Sequence, residues 1–138
     1  MTVRFAGPND FDILRSHDRH ISAGELLHSI AENRALVISY GGTFAGWLRY
    51  NLFWDNTPFL NMLFILEDFR GKGCGKLLMN FWEAEMAKAG YKAVLTSTVS
   101  SEDAQFFYRK LGYTDCGALL LPGEPLEIIL RKNFNYGA

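Results

Sequence analysis

Leu63-Phe64-Ile65-Leu66-Glu67-Asp68-Phe69-Arg70-Gly71-Lys72-Gly73-Cys74-Gly75-Lys76 is the stretch on which the reading of this chain turns. An apolar strand runs through a short acidic turn into closely spaced glycines, and a helical pattern opens at Lys76-Leu77-Leu78. Glycine takes positive φ and carries no Cβ, so a ligand can approach the backbone closely and several N–H groups can converge on it. At the start of a helix those N–H groups lack carbonyl partners and the helix dipole favours negative charge. With Arg70, Lys72 and Lys76 in the same turn, the expected ligand is a phosphate or diphosphate.

Two familiar phosphate loops do not fit. A P-loop needs four residues between its first glycine and Gly-Lys, then Ser or Thr for magnesium. Here only three residues separate Gly71 from Gly75, and Leu77 follows Lys76. The dinucleotide fingerprint fails because Lys76 stands where its third glycine belongs. What remains is Arg-x-x-Gly-x-Gly from Arg70 to Gly75. A second motif lies downstream, Ala104-Gln105-Phe106-Phe107-Tyr108-Arg109-Lys110-Leu111-Gly112-Tyr113, and the interval between the two has room for a helix, a strand and the start of another helix.

Together these motifs resemble the acyl-CoA pyrophosphate loop and the late tyrosine motif of the GNAT family of N-acetyltransferases. The order of elements extends the resemblance over nearly the whole chain. Thr2 to Phe5 reads as a strand, and Phe11 to Arg15 and Ala23 to Ala31 as helices. Ala35 to Tyr40 and Thr43 to Phe53 form a hairpin about Gly41-Gly42, and Phe59 to Leu66 leads to the glycines. Lys76 to Ala89 is a helix with Leu77, Leu78, Phe81, Trp82 and Met86 inward. Ala93 to Val99 is a strand. Glu102 to Leu111 is a short helix with Ala104, Phe107, Tyr108 and Leu111 on one face. Ala118 to Leu121 and Glu127 to Phe134 close the chain as strands. The resemblance implies an α/β (mixed α+β) fold over residues 1–138 as a single domain, a mixed sheet of about seven strands flanked by about four helices.

Composition agrees with one packed core: 138 residues, 49 % hydrophobic and 14 % aromatic. A net charge of -1 offers no field for nucleic acid. Absence of a long apolar run or signal segment argues against a membrane role and sets a cytoplasmic expectation. Cys74 and Cys116 read as reduced thiols without metal-ligand spacing, so no metal is expected.

What the resemblance implies about chemistry is specific. Acetyl-CoA is the co-substrate, with its pyrophosphate on Arg70, Gly71, Lys72, Gly73, Cys74, Gly75 and Lys76 and its pantetheine amides paired to the backbone of Leu63, Phe64 and Ile65. Family members splay this strand from its neighbour, which frees the backbone groups that such pairing needs. A backbone N–H near Ile65 can hold the oxyanion. Tyr108 matches the family's proton donor to the departing thiolate, a transfer from a phenol of pKa about 10 to a thiolate whose conjugate acid lies near about 8.5. A tyrosine on the buried face of a short helix can equally be core.

The chain departs from the family pattern where some members carry a glutamate base. Those positions hold Phe59 and Thr96, so the base is unassigned, and Glu67 or a water relay are the alternatives. Ser101 replaces the asparagine of many members and can bond CoA or cap a helix.

The resemblance places three segments about the acceptor: His17, Asp18 and His20; Arg49, Tyr50, Trp54 and Asp55; and Glu124. Aromatics beside carboxylates suit an amine-bearing small molecule or peptide. The plainer account makes Trp54 and Phe59 hairpin core, the acids solvated surface and His20 the partner of a loop carbonyl. The apolar C-terminal strands are compatible with a homodimer. A non-catalytic acyl-CoA sensor of the same fold is the alternative function.

Overall fold

The computed structural model describes residues 1–134. In chain order the elements are β1 (Thr2–Phe5), α1 (Phe11–His17), α2 (Ala23–Ala31), β2 (Ala35–Tyr40), β3 (Thr43–Phe53), β4 (Thr57–Ile65), α3 (Cys74–Lys88), β5 (Ala93–Val99), α4 (Ala104–Lys110), β6 (Thr114–Leu119) and β7 (Glu127–Asn133). The strands form one seven-stranded sheet in the order β1-β2-β3-β4-β5-β7-β6. It is mixed: β1/β2, β2/β3, β5/β7 and β6/β7 are antiparallel, whereas β4 and β5 are parallel. That architecture is the mixed α/β sheet with four α-helices, among the described residues, that the sequence implies.

The chain divides into two compact units. The first comprises Met1–Asn51 and Asn61–Glu85. Ser22 caps α2 by accepting the Glu25 N–H at 3.2 Å, and Leu26 and Ile30 are the residues this helix buries. They join Leu14 of α1 and Ala35, Val37 and Trp47 of the sheet in one apolar cluster. Side chains alternate across a strand, so Leu36, Ile38, Leu48 and Tyr50 leave the sheet on its other face. Tyr50 lies 5.7 Å from Trp82 of α3. The buried side of α3 recurs every fourth residue from Cys74 through Leu78 to Trp82, with Met79 beside it. Leu77, expected inward, falls outside this stripe and is exposed, and Phe81 is only half-buried.

Close approach inside this unit depends on Gly46. Ile38 pairs with Gly46 but Ser39 with Phe44, so Ala45 is the extra residue of a bulge, and its carbonyl accepts the Leu66 N–H at 2.8 Å. A Cβ at Gly46 would collide with the Phe64 carbonyl oxygen and come within 3.1 Å of Ile65 Cα.

The second unit comprises Leu52–Leu60 and, among the described residues, the chain from Met86 to Phe134. β5 buries Val94, Thr96 and Thr98 on one face and pairs with β7 along its length, from Ala93↔Asn133 to Val99↔Glu127. The parallel ladder between β4 and β5 consists of Phe59↔Leu95 and Leu60↔Thr96. α4 is shorter than the expected span, and Tyr108 is the residue it buries; Ala104 is exposed and Phe107 is half-buried. β6 begins at Thr114 and ends at Leu119, which corrects the expected strand over Ala118 to Leu121. The ladder with β7, from Thr114↔Arg131 to Leu119↔Glu127, sets those limits, and Leu120 and Leu121 run out beyond it, exposed.

Candidate active site

The expected coenzyme-binding residues other than Ser101 all lie in the first unit. After β4 the chain makes a 3-10 turn at Glu67–Phe69, and Arg70 turns back to donate from Nε to the Ile65 carbonyl at 2.9 Å while its guanidinium sits 5.2 Å from the Phe64 ring. Arg70 thus ties the loop to the end of the strand. Lys72 lies over the Tyr40 ring at 5.5 Å, and Lys76 is exposed. The loop takes its shape from Gly71 at φ 73° and Gly73 at φ 85°, a region that disfavours any residue with a Cβ. Open space lies over both, since a Cβ at either would meet nothing within 4 Å.

The helix begins two residues before its expected start. Its first bond runs from the Leu77 N–H to the Gly73 carbonyl at 3.0 Å, so the N–H groups of Cys74, Gly75 and Lys76 have no partner within the helix. Gly75 therefore belongs to the first turn of α3. Cys74 is buried, with its thiol turned inward 3.5 Å from the Met1 sulfur. Of the strand residues, Phe64 is exposed and Leu63 and Ile65 are half-buried. Two positive-φ glycines with open space above them, a helix N-terminus and three cations fit a diphosphate.

The remaining two expected residues are in the second unit. Ser101 is exposed in the turn before α4, where Asp103 is the N-cap residue, so Ser101 does not cap that helix. Tyr108 is 7 % exposed. Burial pushes its phenol up to about 12, against the opposing effect of a hydrogen bond with Thr96. A phenol so placed stays protonated at neutral pH and is a donor.

The residues expected about the acceptor are of several kinds. Asp18 is fully buried, which corrects the solvated-acid account, and Arg49 is its partner at 2.6 Å. Trp47 Nε1 also donates to Asp18, at 3.1 Å, as does the His20 N–H, at 3.2 Å. Burial raises the Asp18 carboxyl, but the Arg49 guanidinium and these donors outweigh it and hold the group below the usual carboxylate range. His17 stacks on Phe44 at 5.4 Å, whereas Trp54 is 79 % exposed at a hairpin tip and is no part of a core. Glu124 is exposed. Sequence reasoning missed the buried Asp18–Arg49 pair, the bond from the buried Thr96 hydroxyl to the Leu60 carbonyl, and the need for Gly46. No local pattern marks any of the three.

Residues 8–113 match the model of the Acetyltransferase (GNAT) family. The chain belongs to the GNAT family. No curated protein sequence matches it. Among solved structures, this GNAT chain resembles Ard1 from Thermoplasma volcanium, at 16 % identity and TM-score 0.83, over 98 % of both chains. It also resembles the ribosomal-protein-S18-alanine N-acetyltransferase of Escherichia coli, at 17 % identity and TM-score 0.80, over 99 % of this chain and 96 % of that one. A third likeness is to an aminoglycoside 6'-N-acetyltransferase complexed with coenzyme A, at 20 % identity and TM-score 0.76, over 96 % of this chain and 97 % of that one. These likenesses show the GNAT fold, and family membership makes the chain an acetyltransferase of acetyl-CoA-dependent acyl transfer.

Proposed function

We propose that the protein moves the acetyl group of acetyl-CoA to a primary amine by direct attack, with both substrates bound, and that Tyr108 protonates the departing thiolate. The observation that carries this reading is the bend at Gly71 and Gly73, which opens α3 with uncovered backbone and basic side chains. Arg70, Lys72, Lys76 and the first-turn N–H groups would hold the pyrophosphate, and the backbone of Leu63 to Ile65 would pair with the pantetheine arm. Ser101, exposed ahead of α4, would bond the coenzyme. Acetyl-CoA supplies an activated acyl group and a thiolate leaving group. The N–H near Ile65 would stabilise the oxyanion and Tyr108 would give the proton. The acceptor is an amine-bearing small molecule or a peptide; the solved relatives include enzymes named for aminoglycosides and for a ribosomal protein.

Thermal denaturation with acetyl-CoA, CoA and ATP plus magnesium tests the coenzyme, because a ligand that binds the folded state raises the melting temperature. Acetyl-CoA and CoA are expected to raise it. A rise with ATP alone overturns the reading. Free-thiol release across a panel of amines then tests the transfer and finds the acceptor.

A further inference from the structure

α1 ends in Arg15-Ser16-His17, and the chain crosses to α2 through Asp18-Arg19-His20-Ile21-Ser22. That stretch holds one acid, and the fold withdraws it. Asp18 is fully buried, with Arg49 Nε and Trp47 Nε1 donating to one carboxylate oxygen and Arg49 Nη2 and the His20 N–H to the other. Four donors use the roughly four acceptor sites a carboxylate has, so none is left for a substrate ammonium. What the turn shows outward has the opposite character: Arg15, His17, Arg19 and His20 are all exposed. Arg15 is held over the turn by a bond from Nη1 to the Ile21 carbonyl at 3.3 Å. The nearest acids along the chain, Asp12 and Glu25, stand in the first turns of α1 and α2.

The turn sits against the strand that the coenzyme would use. Trp47, which donates to Asp18, has its ring 5.9 Å from His17 and 5.2 Å from Phe64, and Phe64 belongs to the backbone proposed to pair with the pantetheine arm. Through Trp47 the basic turn is joined to that backbone, all within the first unit. We propose that the acceptor is an acidic amine, a primary amine with one or more carboxylates close to it, and that Arg15 and Arg19 are the specificity-determining residues that bind those carboxylates. A guanidinium pairs with a carboxylate through two parallel N–H bonds, and a set of exposed cations draws an anion toward it. A cation-rich acceptor such as an aminoglycoside meets like charge instead. The carboxylates are those of an acidic peptide or of a free amino acid, and the arms of the test separate the two. The inference rests on the acetyl transfer proposed above.

The test follows thiol release from acetyl-CoA with a peptide of alanine and three glutamates, the same peptide with three glutamines or three lysines in their place, free glutamate, kanamycin, and hydroxylamine as an uncharged reference. At low salt the glutamate peptide is expected to exceed the glutamine peptide about tenfold in kcat/KM, and the lysine peptide to fall about tenfold below it. Half-molar salt should shrink both gaps to about threefold or less, because exposed charges are screened. Arg19→Glu is expected to exchange the order of the glutamate and lysine peptides, and Arg15→Glu to act alike, in variants whose folding is checked by the CoA-dependent rise in melting temperature. If R15E does not fold without its bond to Ile21, R19E carries the test. A glutamate peptide ahead of free glutamate makes the acceptor a peptide, the reverse makes it a small molecule, and either order supports the inference. Equal rates on the three peptides, a lysine peptide or kanamycin ahead in the parent, or an order that R19E leaves unchanged would overturn the inference alone. No enzyme-dependent thiol release with any of these amines, hydroxylamine included, would overturn the reading of acetyl transfer beneath it.

Discussion

Asp18 and Arg49 form a buried ion pair across 31 positions of sequence, with the carboxylate fully shielded and accepting from Nε at 2.6 Å and Nη2 at 3.3 Å. It pins the segment after α1 to β3, and with it the neighbouring His17, which stacks on Phe44. Removing one partner of such a pair strands the other charge. Asp18→Asn leaves a guanidinium that is 7 % exposed without its counter-charge, and a loss of about 3–5 kcal/mol in urea unfolding is expected. The pH dependence has a definite sign. The folded carboxyl titrates below its unfolded value, so its contribution is complete above about pH 4 and is lost as pH falls through the lower folded value. Acid unfolding of D18N should lack that component.

Gly46→Ala is expected to destabilise the fold by about 1–3 kcal/mol, the usual cost of overpacking. The new methyl would meet the Phe64 carbonyl oxygen and lie 2.7 Å from Ile65 Cδ1, and the backbone among those neighbours cannot step aside as a side-chain tip can. Since Phe64 and Ile65 are the proposed pantetheine partners, CoA should also protect G46A less against heat. An unchanged melting temperature would show that β3 and β4 can part at no cost.

Gly73→Ala meets no neighbour, so its cost to the free protein is the left-handed backbone alone, about 1–2 kcal/mol at φ 85°. Its effect on the coenzyme should be larger, because the methyl enters the space over the loop. Gly90 has φ 98° and open space too, but it lies outside the loop, beyond α3. G90A should lose similar stability and keep the full CoA-dependent rise in melting temperature, whereas G73A should lose most of that rise.

Tyr108 gives a prediction at the alkaline end. Its phenol is pushed up to about 12 in the folded state, against about 10 in an unfolded chain. A raised value means that stability is intact below about pH 10 and falls as pH climbs from there through the folded value, by roughly 3 kcal/mol in all. Urea unfolding of the parent and of Y108F across that window should differ by this slope, with Y108F the flatter of the two. Below pH 10 the phenol stays protonated, so the proposed proton donor should not limit the basic side of a rate profile.

Much of this protein was legible along the chain, and for a local reason. The bounds of α2, β2, β3 and β5 follow from the spacing of apolar residues and from Ser22 and Gly41-Gly42, all of which act over one or two turns of chain. The Arg70 to Gly75 bend is equally local, since positive φ at Gly71 and Gly73 and a helix N-terminus right after them are properties of adjacent residues. The inward face of α3 was less legible, because the neighbours it packs against decide which side of Leu77 is covered.

Pairing between distant residues was settled only by the tertiary structure. Nothing near Asp18 announces Arg49, nothing near Gly46 announces the Phe64 carbonyl, and nothing near Thr96 announces the Leu60 carbonyl that its hydroxyl meets. β6 took its limits from β7 in the same way, despite the more apolar run that follows it. Local periodicity sets which elements form and roughly where they begin and end. Only the packed fold sets which buried donor meets which acceptor, because an unpaired buried polar group is too costly to leave where the chain first puts it.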